Sequence, residues 1–513
     1  MSLRVFLILF LTFSNVFSAK ILCVFFVPSI SHQMIFQPIW KELSLRGHKV
    51  TVITPNTLND PTLTNLTEID TSTTYNYLKN ISLHKSISKD NYLFSKLLFM
   101  LNFGIITFET ILRLEPVRKL INDDKIEFDL VILQNMNHYS VALGFVGKYK
   151  CISIGISSME VYLHTHDAFG NPTHPITSPD MMLNIHSDVT FIDKVNSLLY
   201  NIWYRVFYYW YVLPVSDEIA RKHFGNLPYL GDVEKNFSLL MVNVNPLIHS
   251  IRPNVPNIIE INMMHIKKKK PLPQDIKEFM DNSTRGVIYF SLGSNVKSAS
   301  LSTEVKKEII SCFRELPYEV LWKYEEEDLL DIPGNVIIRK WFPQQDILGH
   351  RNVRLFITQG GLQSIEEAIF NEVPLIGIPF ILDQYNNIDK IEKIGMGLRI
   401  DYENIVKDDF KAAIIEVAEH DKYRIAVREG KSIIIDQPMV GVEKAIWWIE
   451  YVLRHKGARH LRSAAAGMSF FEYFMMDVII FLLGIVFFSL YVVNKLICSL
   501  KKNCRRFFKI KEQ

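Results

Sequence analysis

The chain has 513 residues, 48 % hydrophobic and 22 % charged, with a formal net charge of +3. That length suits two large domains or about three average ones, and the apolar excess fits a globular protein carrying extra apolar segments. A near-neutral charge with no basic stripe between aromatics excludes a nucleic-acid partner. The densest internal basic run, residues 267–270, precedes Pro271 and Pro273 and reads as a solvated linker.

At the N-terminus, Arg4 precedes the apolar run 5–13, and Val16-x-Ser18 satisfies the small-residue cleavage rule, so residues 1–18 are predicted to be a secretory signal peptide. Residues 21–27 form a continuous apolar run, as in a buried parallel strand. A loop is predicted over 28–32, then a helix over 34–45 that stops at Gly47, then a strand over 49–54. This is a βαβ unit of the doubly wound type. Further strands are predicted at 130–133 and 151–156, and 92–114 is a long apolar helical stretch. Residues 198–212 are dense in Trp, Tyr and Phe, and Arg205 among them argues against a membrane span. That segment reads either as a buried helix or as a surface lying against a bilayer.

A linker, 266–285, separates this first domain, 19–265, from a second α/β domain, 286–440. The second begins with a strand at 286–290 running into Ser291-Leu292-Gly293-Ser294; strands at 320–323, 336–338, 355–358 and 374–378 follow. Two such halves imply a cleft, with ligands bound beyond the carboxyl ends of the strands. Helices and a juxtamembrane segment are expected over 441–473. Residues 478–493 are uncharged and, carried past Asn494 and a snorkelling Lys495, define a span over 474–498. Lys501, Lys502, Arg505 and Arg506 lie in the tail 499–513, which predicts a type I topology with a cytosolic tail. Asn65, Asn80, Asn236 and Asn282 sit in glycosylation sequons. Cys23, Cys151 and Cys312 read as buried thiols, Cys498 and Cys504 as juxtamembrane palmitoylation candidates, and no metal-ligand spacing occurs.

The stretch FITQGGLQSIEEA, residues 356–368, is a strand, a Gly360–Gly361 turn and a helix with Ser364, Glu366 and Glu367 in its first turns. Free backbone N–H groups at the positive end of a helix suit a phosphate. The Glu367 carboxylate suits a hydroxylated neighbour instead, so the pair points to a sugar nucleotide.

Residues 341–384 read WFPQQDILGHRNVRLFITQGGLQSIEEAIFNEVPLIGIPFILDQ. This segment resembles the signature of the UDP-glycosyltransferase family, which contains the UDP-glucuronosyltransferases. The similarity extends to the signal, the Ser31-His32 loop, the 291–294 loop and the C-terminal span. Gln359 in place of a usual His resembles insect members. The resemblance implies two Rossmann-like domains facing a cleft, of GT-B type, plus one C-terminal transmembrane helix. It implies that Trp341 stacks on uracil, Gln344 bonds the nucleoside and Glu367 takes the ribose hydroxyls. Gln359, Gly360, Gly361, Gln363 and Ser364 would surround the diphosphate. Asp383 and Gln384 would hold the transferred sugar, Lys323 would replace an Arg near the donor, and Ser294 would lie in the phosphate-facing loop. Each residue alone has a plainer reading: Trp341 as core, Asp383 as a helix cap, Gly360–Gly361 as a tight turn.

The resemblance further implies inverting displacement from a UDP-sugar co-substrate, with no metal and no other cofactor, and with His32 as general base toward a small lipophilic acceptor. Relatives carry an acidic residue at the strand end after FD; here it is Gln134, which can accept a hydrogen bond but cannot balance an imidazolium. Asp129 lies on the opposite face of that strand and roughly 16 Å away, and His138 brings no negative charge. UDP-glucose is the expected donor from the insect-like wording, with UDP-glucuronate as the alternative and Arg252 as the cation it would want. The expected setting is the endoplasmic reticulum membrane, with the catalytic domains lumenal, acting in detoxification or in hormone or pigment conjugation; a homo- or hetero-oligomer is compatible with it. Two other readings stand beside it. One is a UDP-sugar-binding membrane protein with little turnover, which Gln134 and Gln359 favour. The other is a type I receptor, which would be expected to carry disulfide-rich modules.

Overall fold

The computed structural model describes residues 18–511, apart from 80–92, 136–139, 184–188, 328, 382 and 440. The signal segment 1–17, Asn80, Tyr92 and His138 therefore lie outside the described residues.

Two parallel sheets organise the chain. The first contains β1 (Lys20–Val24), β2 (Lys49–Thr54), β3 (Leu66–Asp70), β4 (Leu130–Gln134), β5 (Ile152–Ser157), β6 (Leu239–Asn243) and β7 (Ile258–Ile261), in the order β3-β2-β1-β4-β5-β6-β7. The second contains β8 (Val287–Ser291), β9 (Glu319–Lys323), β10 (Val336–Arg339), β11 (Val353–Thr358), β12 (Leu375–Gly377) and β13 (Gly397–Arg399), in the order β10-β9-β8-β11-β12-β13. The strand order reverses between β1 and β4 and again between β8 and β11. At such a switch point the connections leave in opposite directions and a crevice opens beyond the strand ends. Four strands go beyond those expected: β3, β6, β7 and β13. β3, an edge strand with no buried residue, lacks the apolar run by which buried strands are read.

The helices that place the site are α1 (Ile30–Met34), α2 (Gln37–Leu45), α3 (Leu93–Arg113), α4 (Phe191–Phe207), α5 (Gln274–Asp281), α6 (Gln344–Leu348), α7 (Leu362–Phe370), α8 (Gln384–Lys393), α9 (Gly441–Arg454) and α10 (Met476–Lys511). Three differ from expectation. The predicted loop 28–32 and helix 34–45 become α1 and α2, broken at residues 35–36, so His32 stands on a single helical turn. Pro38 fits the first turn of α2, where its missing N–H costs nothing. α5 falls inside the expected linker but buries Ile276 and Met280 in the second domain's core, so it belongs to that domain. Each such side chain contributes about 1.5–3 kcal/mol. α9 crosses back: Ala445, Ile446 and Ile449 join the first sheet's core, where α9 packs on α2 and β7.

The aromatic stretch, in α4 and the turn that follows it, is buried along one side, as the core-helix reading expects, and exposed along the other. Tyr200, Tyr204 and Tyr208, spaced by four, are buried, whereas Phe191 and Trp210 are 79 % and 82 % exposed, with Leu198, Leu199 and Ile202 bare between them. Arg205 is held bidentately by Asp167, both bonds 2.8 Å. In α10, residues 476–502 are apolar and long enough to cross a bilayer.

Candidate functional site

The second domain builds its share from the loops after β8 and β11, which register side by side with Ser291 opposite Thr358. Gly293 has φ +76° and Gly360 φ +89°, left-handed values that favour glycine. The two loops nearly touch: a Cβ on Gly293 would stand 2.5 Å from Gln359 Nε2. Gln359 is buried, and its Oε1 has no hydrogen-bond partner among the described residues. Lys323, at the end of β9, donates to Gly293 O (2.9 Å) and Glu325 (2.6 Å), and its Nζ stands 5.7 Å from the Trp341 ring centre. Trp341 is 55 % exposed, which removes the core reading and leaves an indole face open to a planar ligand.

Glu367 organises a second cluster of polar side chains. It accepts from Gln344 Nε2 (2.6 Å) and Gln345 Nε2 (2.9 Å), and His265 Nε2 stands 3.4 Å away. Gln344 also donates to Ser364 (3.0 Å) and accepts from the Tyr289 hydroxyl (3.2 Å). Where a sugar would follow the phosphates, Asp383 precedes α8 without capping it; its carboxylate accepts from Asn387 (2.9 Å), and burial pushes its carboxyl up to about 6. Gln384 Oε1 accepts from the N–H groups of Phe380 (2.9 Å) and Ile381 (3.1 Å), and no hydrogen bond holds its Nε2 among the described residues.

The first domain faces these groups with His32. Its Nδ1 lies 2.5 Å from Ser158 Oγ, and burial pushes the imidazole down to about 4, so the ring is neutral at neutral pH. Gln134 does something else: its Oε1 accepts from Phe26 N (3.1 Å) and Val27 N (3.2 Å). The chain leaving β1 turns its amides toward the end of β4, and a buried side-chain carbonyl satisfies them. The Gln134 oxygen that could have accepted from His32 is thus turned to the backbone, and the hydrogen-bond partner of the ring is Ser158. Asp129 is no substitute, since it accepts from Lys20 N (2.7 Å) at the other end of the sheet.

One cavity of about 540 Å³ joins the halves. His32, Ser294, Lys323, Trp341, Gln344, Gln359, Gly361, Gln363, Ser364, Glu367, Asp383 and Gln384 all line it. Gly360 and Gln134 do not. Gly360 lies behind the wall, its carbonyl accepting from Asn387 (3.0 Å). Ile30, Met34, Met100, Met159 and Tyr162 supply an apolar wall on the His32 side. Met100 comes from α3, whereas no residue of 198–212 is in the lining, because its rings pack into the core or point outward. Arg252 is spent on Glu160 (3.2 Å) and on the carbonyls of Ser178 and Pro179, away from the cleft. Lys267, Lys268 and Lys270 line the rim; residues 267–270 are exposed, as a solvated linker would be, and the backbone N–H groups of Lys267 and Lys270 are bonded to Gln345 and Asp346. Asn65, Asn236 and Asn282 are exposed.

Ser158, Gln345, His265 and Asn295 escaped sequence reasoning. Gln345 was the most legible, as the neighbour of Gln344 in PQQD. Asn295 accepts from Ser29 Oγ (3.0 Å) across the cleft, a contact no local pattern announces.

The sequence profile described as "UDP-glucoronosyl and UDP-glucosyl transferase" matches residues 19–513. The chain belongs to the UDP-glycosyltransferase family. This UDP-glycosyltransferase is 33 % identical over 491 residues to UDP-glucosyltransferase 2 of Dactylopius coccus, covering 94 % of this chain and 93 % of that one. It is 31 % identical to the ecdysteroid UDP-glucosyltransferase of Spodoptera littoralis nuclear polyhedrosis virus, over 93 % of this chain and 96 % of that one. With UDP-glucuronosyltransferase 2B15 of Homo sapiens it shares 29 %, over 91 % and 90 %. Among solved structures it is similar to the glycosyltransferase of kitacinnamycin, with TM-score 0.56 and 18 % identity over 85 % of this chain and 98 % of that one. It is also similar to Arabidopsis thaliana UGT89C1 complexed with UDP, with TM-score 0.52 and 14 % identity over 85 % and 100 %. These likenesses confirm the GT-B fold of the UDP-glycosyltransferase.

Proposed function

We propose that this enzyme transfers a hexosyl group, glucose by preference, from its UDP-sugar to a hydroxyl of a small lipophilic acceptor, with inversion and without a metal. The observation that carries this is the single cavity, which sets His32 of one domain against Trp341, Glu367 and Asp383 of the other. Trp341 would stack on uracil, Glu367 would accept from the ribose, and the Gly361–Ser364 turn with Ser294 would hold the diphosphate at the start of α7. His32 Nε2 would take the acceptor's proton as the sugar's anomeric carbon changes oxygen and UDP leaves with the bonding pair.

The donor reading rests on the insect-like wording of residues 357–364. Arg252, the cation named for a glucuronate carboxylate, is occupied by Glu160 and by carbonyls away from the cleft and does not argue for that donor. The apolar wall of Ile30, Met34, Met100 and Met159 suits a lipophilic acceptor. A buried neutral imidazole with no carboxylate behind it is a weak base, which favours acidic hydroxyls such as phenols. The apolar helix α10 would anchor the enzyme in the endoplasmic reticulum membrane with its domains lumenal, a setting suited to detoxification or to hormone or pigment conjugation.

UDP release by the membrane-expressed chain, with UDP-glucose, UDP-glucuronate and UDP-galactose against phenols and aliphatic alcohols, tests the reading, with His32→Ala as the blank. Turnover with UDP-glucose and phenols that vanishes in the blank is the expected result. Saturable UDP binding with no release above the blank would replace this reading by that of a UDP-sugar-binding protein. The use of Gln134 by backbone amides rather than by His32 is the observation that favours the latter.

A further inference from the structure

We propose that Ser158 is the positioning residue of His32, filling the role for which an acidic residue is absent, and that it ties the base to the donor domain. The inference rests on the reading of His32 as the base. It begins from register. Gln134 ends β4, and its partner on β5 is Ile156. Ser158 stands two residues further, at the same edge of the sheet and one strand over. The side chain at 134 is committed to the amides of Phe26 and Val27, so support for the imidazole comes from the neighbouring strand instead. The Ser158 oxygen is fully buried and lies 2.5 Å from Nδ1 of His32.

A serine at a strand end that meets a nearby histidine is common. Two further bonds separate this one from the common case. The Ser158 carbonyl accepts from Asn243 Nδ2 (3.2 Å), at the end of β6, and from Gln363 Nε2 (3.2 Å), on α7 of the other domain. Gln363 lies in the turn assigned to the donor diphosphate. The peptide that carries the His32 partner is thus clamped from its own sheet and from across the cleft, and the clamp from across the cleft forms only when the domains stand in this relation. Supporting bonds of this kind fix ring orientation and tautomer.

With Nδ1–H donated to Ser158 Oγ, the lone pair is on Nε2, where a base must have it. In the transfer step the acceptor O–H proton moves to Nε2 as the acceptor oxygen bonds the anomeric carbon and the bond to the UDP oxygen breaks. Nδ1–H stays on Ser158, and the imidazolium then loses the added proton to solvent. A hydroxyl, unlike a carboxylate, leaves the imidazolium charge unbalanced. Acceptors that are already acidic suffer least from that.

The test uses the full chain in nanodiscs, as wild type, Ser158→Ala and Ser158→Thr. Nitrogen-15 NMR of histidine-labelled protein, with His32→Ala identifying the resonance, reads the tautomer without turnover. The wild type is expected to carry the proton on Nδ1; a proton on Nε2 overturns the proposal whatever the kinetics show. Ser158→Ala is expected to mix the tautomers and lower kcat about tenfold or more, within the range of a general base's whole contribution. The donor KM should hold, and the loss should be steeper for alcohols than for 4-nitrophenol. Ser158→Thr keeps the hydroxyl and is expected to restore both readouts. An unchanged kcat in Ser158→Ala, or a loss equal for all acceptors, overturns it. Turnover that survives His32→Ala would sink the base assignment itself, a separate failure visible in a separate variant.

Discussion

Gly293 and Gln359 meet at the point where the second sheet reverses its strand order: a Cβ added to Gly293 would stand 2.5 Å from Gln359 Nε2, on a backbone already at φ +76°. Neither loop can be enlarged without moving the other, and together they shape the cavity wall proposed to face the donor phosphates. Gly293→Ala is expected to cost about 1–2 kcal/mol from the left-handed backbone alone and to weaken UDP binding by displacing Gln359. Thermal unfolding and UDP titration on the same preparation check both parts.

Trp341 is half exposed, so its removal leaves no cavity. Trp341→Ala should leave the melting temperature unchanged and raise the donor KM about tenfold or more, since base–aromatic stacking contributes about 1–3 kcal/mol. Trp341→Phe should recover part of that. Steady-state kinetics with varied UDP-glucose decides it.

Gln134 supports the turn that carries His32. Gln134→Leu would bury two backbone amides without an acceptor, at about 1–3 kcal/mol each. The expected signature is a lowered melting temperature together with lost kcat, with the donor KM held. Loss of activity at full stability would return Gln134 to a direct role on the ring.

Two titrations separate along the pH axis. Burial lowers the His32 imidazole to about 4, and it raises the Asp383 carboxyl to about 6. His32 therefore remains an available base down to acidic pH. Asp383 is a carboxylate above about 6 and takes up a proton as pH falls through that value, losing acceptor capacity toward sugar hydroxyls. The donor KM should rise below about pH 6, and Asp383→Asn should flatten that limb. Burial holds the His32 imidazole below its ordinary 6.5, so the unfolded chain takes up this proton first; stability should fall as pH drops from about 6.5 to about 4, with no further loss from this group below that.

Most of the proposed donor site was legible because it is nearly contiguous: residues 341–384 carry two strands, two short helices and a glycine turn whose side chains converge by local geometry alone. Trp341, Gln344, Glu367 and Asp383 could be placed that way. What could not be read is tertiary. Ser158 meets His32 across 126 residues, and Gln363 meets Ser158 across 205. The role of Gln134 depended on which way the amides of Phe26 and Val27 point, which no alternation of apolar residues encodes. The return of α9 to the first domain was equally hidden, since its apolar stripe fits either half. β3 escaped because an edge strand with no buried residue has no distinctive pattern.

The central claim is that donor binding and proton removal are supplied by opposite walls of one cleft. Parallel measurement of UDP affinity and of UDP release from UDP-glucose with 4-nitrophenol tests it most directly, in wild type, His32→Ala and Trp341→Ala. His32→Ala is expected to keep the wild-type UDP affinity while release falls about 10²–10⁴-fold, and Trp341→Ala to weaken affinity with kcat largely retained at saturating donor. Release undiminished in His32→Ala, or UDP affinity unchanged in Trp341→Ala, would contradict it.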